Sequence, residues 1–209
     1  MKKILIVSDY IGNIGGIEVY IKNVGDLLMK DDQNYNIEYF WLKMNNFMKK
    51  YKSFLLPIVW ANIISSIQLQ IKLSKYKPDI IRYHSIIRYI GWLPVWLSTF
   101  SKSKKIIMYH DLGYFHPYPS KVTHEEQILP LSLSNFIKMY TNLSPSNKNN
   151  VAKKILVCFK YIHIKILSTI LKKNMDLHLV PSSFMKDILI ESWKLDQEKI
   201  VVLPHFWPK

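Results

Sequence analysis

One stretch near the N-terminus limits the fold more than any other. It runs Ile4-Leu5-Ile6-Val7, then Asp9-Tyr10-Ile11-Gly12-Asn13-Ile14-Gly15-Gly16-Ile17-Glu18, then on to Val19, Ile21, Val24, Leu27 and Leu28. The first run is short, apolar and β-branched, which reads as a buried strand. The last residues are apolar at helical spacing. The middle is therefore a strand-to-helix turn, the opening unit of an α/β domain. Gly15 and Gly16 remove both Cβ atoms where the helix begins. Backbone N–H groups at a helix N-terminus can receive a ligand's phosphate, which makes Gly15 and Gly16 candidate phosphate contacts. The same glycines also serve a tight turn and close helix–sheet packing, whatever binds there. Gly12, Gly15 and Gly16 do not spell G-x-G-x-x-G, and no Lys-Ser/Thr follows them. Neither a dinucleotide fingerprint nor a Walker loop is present.

Further strands follow. Residues 36–42 read as a second strand and 79–84 as a third, the latter ending in His84. Residues 105–111 end in His110-Asp111, and residues 199–206 form the last strand. Between them, helices are expected at about 54–76, 86–100, 151–173 and from Ser182 or Ser183 to Leu195. In open α/β sheets, ligands bind outside the carboxyl ends of the strands. Asp9, His84, His110 and Asp111 all fall at such ends. Polar side chains that merely meet solvent there explain any one of them. The set is harder to explain by packing. An aromatic, proline-stiffened stretch, Tyr114-Phe115-His116-Pro117-Tyr118-Pro119, follows directly. A long loop beside a polar strand end is usually functional, so Tyr114 and His116 are candidate substrate contacts.

Four segments, in order, resemble the N-terminal domain of family-4 glycosyltransferases. They are the turn Gly15-Gly16-Ile17-Glu18; the strand Lys77-Pro78-Asp79-Ile80-Ile81 ending in His84; the strand ending in His110-Asp111; and Val180-Pro181-Ser182-Ser183, then a helix, then Lys199-Ile200-Val201-Val202-Leu203-Pro204-His205. The resemblance implies a Rossmann-like three-layer sandwich with a mostly parallel sheet, the N-terminal half of a GT-B architecture. Residues 1–203 would be that domain, and 204–209 the start of the crossover to a donor-binding domain outside these residues. It implies transfer of a sugar, with retained anomeric configuration, from a nucleotide-diphosphate donor to a glycan or lipid-linked acceptor. His110 and Asp111 would be the catalytic pair. Glu18, His84, Tyr114 and His116 would contact substrate. Glu18 also lies in a first helical turn, which by itself favours a carboxylate. The chemistry implied needs no cofactor beyond the donor and no metal. The partner implied is a donor-binding domain, in the same chain or a second one. The rival readings are a non-catalytic acceptor- or membrane-binding subunit of a split transferase, an inactive fragment, and a hydrolase using Asp111 with Glu125 or Glu126. No G-x-S-x-G supports the last.

Charge narrows the choice of partner. The net charge is +14, almost all from Lys, with Arg only at Arg82 and Arg88. Such a balance favours anionic partners. Nucleic-acid binding usually leans on Arg and a recognisable module, and neither is present. A Lys/Ile/Asn-rich composition bias gives the same number. Residues 53–71 carry no charge but include Pro57, Asn62, Ser65, Ser66, Gln68 and Gln70. That polarity argues for a buried or interfacial amphipathic helix rather than a span. In 151–173, Ile155, Phe159, Ile162, Ile166 and Ile170 make an apolar stripe. Either it packs on the sheet, or the helix lies on an anionic membrane. Cys158 is the only cysteine, so no internal disulfide forms. A cytoplasmic protein is the expectation, with peripheral attachment to the inner membrane face left as an alternative.

Overall fold

The computed structural model describes residues 1–9, 16–31, 34–41, 63–87, 90–117, 131–142 and 150–204. The elements are β1 (Lys2–Val7), α1 (Gly16–Asp31), β2 (Tyr35–Phe40), α2 (Ile63–Tyr76), β3 (Ile80–Tyr83), α3 (Trp92–Ser98), β4 (Lys104–Met108), a 3-10 turn (Leu112–Tyr114), α4 (Leu133–Asn142), α5 (Val151–Asn174), β5 (Leu177–Val180), α6 (Ser183–Trp193), a second 3-10 turn (Gln197–Lys199) and β6 (Ile200–Val202). Expectations for Gly15, residues 43–62, Tyr118, Pro119, Glu125, Glu126 and residues 205–209 lie outside the described residues.

The strands form one sheet in the order β2-β1-β3-β4-β5-β6, every neighbour parallel. The expected α/β, Rossmann-like sandwich is what the chain folds into. Alternation along β1 shows how its continuous apolar run is used. Ile4 and Ile6 pack toward Tyr20, Ile21 and Val24 of α1. Leu5 and Val7 join the larger core on the other face with α2 to α6. A strand buried on both faces has no polar side to show. Among the described helices, α1 alone covers its face, and the other five share the opposite one. Helix boundaries follow local chemistry. Asn150 caps α5 and Ser182 caps α6 through their side chains. Lys77 adopts a left-handed conformation at φ 49° after α2, directly before Pro78.

In two helices the regularly spaced apolar residues face outward. In α2 the isoleucines at i+4 spacing face outward, with Ile63 65%, Ile67 56% and Ile71 50% exposed. Ser65, Ser66, Leu69, Leu73 and Tyr76 are buried instead. In α5, Ile155, Phe159, Ile162 and Ile166 are exposed, and Ile170 alone of that stripe is buried. Val157, Ile164, Leu167 and Leu171 provide its inner face. Both helices carry two apolar stripes, and periodicity cannot say which one meets the sheet.

Two buried histidines make stability sensitive to acid. His163 of α5 donates from Nε2 to the Ile87 carbonyl at 3.1 Å, and burial pushes its pKa down to about 3. His178 of β5 meets the Tyr109 hydroxyl at 2.9 Å. Burial, helped by the Lys199 charge, lowers it to about 4. An unfolded histidine titrates near about 6.5. The unfolded chain therefore takes up protons first as pH falls. The stability from neutral burial is complete above about pH 6.5 and is lost as pH drops toward the folded values. The thermal midpoint should fall between pH 7 and pH 4. His163→Gln, which keeps a donor for Ile87, should give a shallower fall in the same scanning-fluorimetry series.

Candidate functional site

The chain reverses direction across the sheet between β1 and β3. From β1 it moves to β2 on one side through α1, and it then returns past β1 to β3 through α2 on the opposite face. Such a switch point opens a crevice at the carboxyl ends of the strands. His84 follows β3, and His110 follows β4 by two residues. The register that pairs Tyr83 with Ile107 sets these two strand ends side by side. Their side chains meet there. His84 Nδ1 and His110 Nε2 are 2.8 Å apart, and the rings stack at 5.1 Å with 22° between planes. One nitrogen must donate and the other accept, so a doubly protonated pair loses this bond. Tyr20 of α1 stands edge-on to His110 at 5.5 Å and to His84 at 6.3 Å. Tyr20 lies about one helical turn beyond Gly16, the first residue of α1. The histidine pair and the helix start therefore share one neighbourhood. Glu18 lies in that first turn, half-buried.

Arg82 is a residue that sequence reasoning does not single out. It sits on β3 between Ile6 and Ile106, on the same face as His84. Its guanidinium faces the Tyr20 hydroxyl, and burial lowers its pKa against that contact. Nε and Nη2 are buried with no hydrogen-bond partner. A buried, incompletely paired cation is costly, and its neighbour Tyr20 also meets both histidine rings. The visible signal is a charge inside the apolar strand Ile80-Ile81-Arg82-Tyr83.

The other polar strand ends do different work. Asp9 is fully buried, and its Oδ1 accepts from the Ile90 backbone N–H at 2.8 Å. Asp111 accepts from Gly113 N at 2.7 Å and caps the 3-10 turn. That bond binds the carboxylate locally, although the residue is half-exposed. The first part of the expected substrate-contacting loop packs inward. Tyr114, Phe115 and His116 are buried. Tyr114 packs edge-on to Tyr109 at 5.0 Å, and its hydroxyl donates to the His84 carbonyl at 3.4 Å. Phe115 lies 5.2 Å from the Trp193 ring. These contacts tie the start of the loop to the backbone of His84 and to the core around Tyr109 and Trp193. Apolar surface and a backbone acceptor drew them inward, and the run of aromatics alone does not disclose that.

Among the described residues no group of three or more His, Cys, Asp and Glu converges as metal ligands. None of their helices is long and apolar enough to cross a membrane. No protein-family model matches the chain, and no curated protein matches it. Any functional reading therefore rests on the crevice and its chemistry.

Proposed function

We propose that residues 1–203 form the acceptor-side half of a GT-B-type glycosyltransferase, with transfer in the crevice over the ends of β1, β3 and β4. The observation carrying this reading is the His84–His110 contact, 2.8 Å long, beside the start of α1. The donor would be a nucleotide-diphosphate sugar held chiefly by a donor-binding half, in the same chain or a second one. The acceptor would be a glycan or lipid-linked hydroxyl. The barrier to transfer lies in leaving-group departure. Backbone N–H groups at the start of α1, around Gly16, would face the charge that develops on the diphosphate. His110 is half-exposed and fixed by His84, so it would orient a hydroxyl beside the transferred sugar. The carbonyl of His84 is held by Tyr114, which limits how far the pair can drift. Glu18 would contact the acceptor or donor from the first turn of α1.

The reading is tested by co-expressing the chain with a donor-binding half carrying a Glu-x7-Glu element, taken from the same or a neighbouring reading frame. Release of nucleoside diphosphate that requires both halves and an acceptor supports it. No release with any common donor sugar argues against it. A second expectation concerns the 209 residues alone. Calorimetry should detect no micromolar binding of nucleotide-diphosphate sugars, because this half would supply only part of the diphosphate cradle. Micromolar affinity would show that the donor site is complete within these residues, and the division of labour proposed here would be wrong.

A further inference from the structure

We propose that the outward side of α2, α3 and α5 is a docking face for an anionic phospholipid bilayer. This face stands or falls independently of the catalytic reading. The three helices lie in one layer. Leu69 and Leu73 of α2, Val95 of α3, and Ile164 and Leu167 of α5 all point into the same core against one face of the sheet. Their opposite sides therefore look the same way, away from it. What they present is not a water-seeking surface. Ile63, Ile67 and Ile71 project from α2, Phe159 and Ile162 project from α5, and Phe100 just after α3 is 73% exposed. The polarity of α2 is inverted, with serines against the sheet and isoleucines outside. A surface helix in water shows the reverse pattern, and contiguous exposed apolar surface marks a contact site. Trp96 stands edge-on to Phe100 at 5.4 Å. It also borders an apolar groove of about 450 Å³ between α3 and α5, with Lys165 at its rim.

Charge decides what covers this face. Residues 39–78, 80–110 and 127–175 contain no Asp or Glu, so α2, α3, α4 and α5 carry none. The fifteen acidic residues lie elsewhere in the sequence, on α1 and α6 and in the loops and strands. Lys75, Lys153, Lys165, Lys172 and Lys173 are exposed on α2 and α5. A second copy docked face to face would set lysines against lysines with no carboxylate on these helices to pair. Anionic headgroups instead complement every charge present, each lysine near such a surface contributing about 1 kcal/mol. Lysine stems lie along apolar surface while their ammonium groups stay at headgroup level, and isoleucine, phenylalanine and tryptophan reach below it. A helix layer that is apolar outside and carries only cations of its own, with Glu38 of β2 paired to Lys72 at its edge, fits the interface of a bilayer.

The test is co-sedimentation of the 209-residue chain with vesicles of phosphatidylcholine alone or mixed with phosphatidylglycerol. The mixed vesicles should bind it at least about tenfold more strongly at low ionic strength, and added salt should weaken that binding. Ile67→Asp and Phe100→Asp change exposed side chains and should leave the thermal midpoint in place. Each should reduce partitioning by on the order of tenfold. Leu27→Asp, on α1 at the opposite face, should not. Brominated phosphatidylcholine in the mixed vesicles should quench tryptophan fluorescence, and Trp96→Phe should remove the largest share of that quenching. Wild-type binding by both Asp variants overturns the proposal, and so does equal binding to neutral vesicles. An oligomer in sedimentation velocity that these variants dissociate, with no vesicle binding, overturns it in favour of a protein partner.

Discussion

His110→Ala, assayed together with the donor-binding half, should lose sugar transfer by on the order of 100-fold or more, the scale for removing a positioned polar group. Its thermal midpoint should fall by only a few degrees, with the variant still folded. His110 is half-exposed, so truncation opens space that water can fill rather than a sealed cavity. The alanine forgoes the stacking on His84 and the edge of the Tyr20 ring, each worth about 1 kcal/mol. The bond to His84 distinguishes a chemical role from a structural one. Its Nδ1–Nε2 geometry holds only while one ring donates and the other accepts. His110→Gln, which keeps a hydrogen-bonding group for His84 Nδ1, should match the wild-type thermal midpoint more closely than His110→Ala without recovering transfer. A variant that unfolds makes His110 structural. A variant that folds and transfers normally moves the site away from the pair, toward Glu18 and the start of α1.

Much of this arrangement is legible in the residues. The strand-turn-helix of 4–28 requires an α/β unit, and polar residues ending apolar strands pick out one edge of the sheet. The pairing of His84 with His110 is not legible, because it depends on β3 and β4 being neighbours in register. Nothing local to either histidine specifies that. The same limit explains Asp9 and Asp111. A carboxylate at a strand end looks alike whether it faces a ligand or caps a turn, and here each accepts a backbone N–H. Arg82 is visible as an anomaly but uninterpretable without α1, since its neighbour Tyr20 comes from 62 positions earlier in the chain.

The helices escape sequence reasoning for a different reason. Periodicity finds an apolar stripe but does not say whether it meets the sheet. In α2 the stripe of Ile63, Ile67 and Ile71 is real but outward, and the sheet receives Leu69, Leu73 and two serines. Small side chains let a helix approach a sheet closely. A stripe that is apolar by composition is then left for another use. The acid-free stretches that contain α2, α3 and α5 are plain in the sequence, but their meaning depends on these helices sharing one face.

Asp9→Ala should destabilise the protein by about 2–4 kcal/mol, the cost of stranding a buried donor plus the loss of a charged hydrogen bond. The reason lies at the end of β1. Asp9 is wholly buried, and its backbone N–H donates to the Ser85 carbonyl at 2.5 Å. Its carboxylate reaches across to the Ile90 N–H at 2.8 Å. One residue thus ties β1 to both ends of the segment that follows β3. Within that segment, Gly91 turns the chain at φ 75°, a conformation that side chains disfavour, and Gly91 N returns to the Ile86 carbonyl at 2.9 Å. Ile90 is itself fully buried, so water cannot replace the missing acceptor cheaply. Asp9→Asn keeps an oxygen for Ile90 and should lose less than Asp9→Ala. For a chain of this length each kcal/mol moves the midpoint by about 2–4 °C, so the alanine variant should melt roughly 10 °C lower, and denaturant titration should show the same order of variants. Because the segment that Asp9 anchors begins at His84, transfer should fall along with stability. An Asp9→Ala protein that melts with the wild type but loses transfer would make the carboxylate a ligand group. One that keeps both would show that the contact to Ile90 contributes nothing.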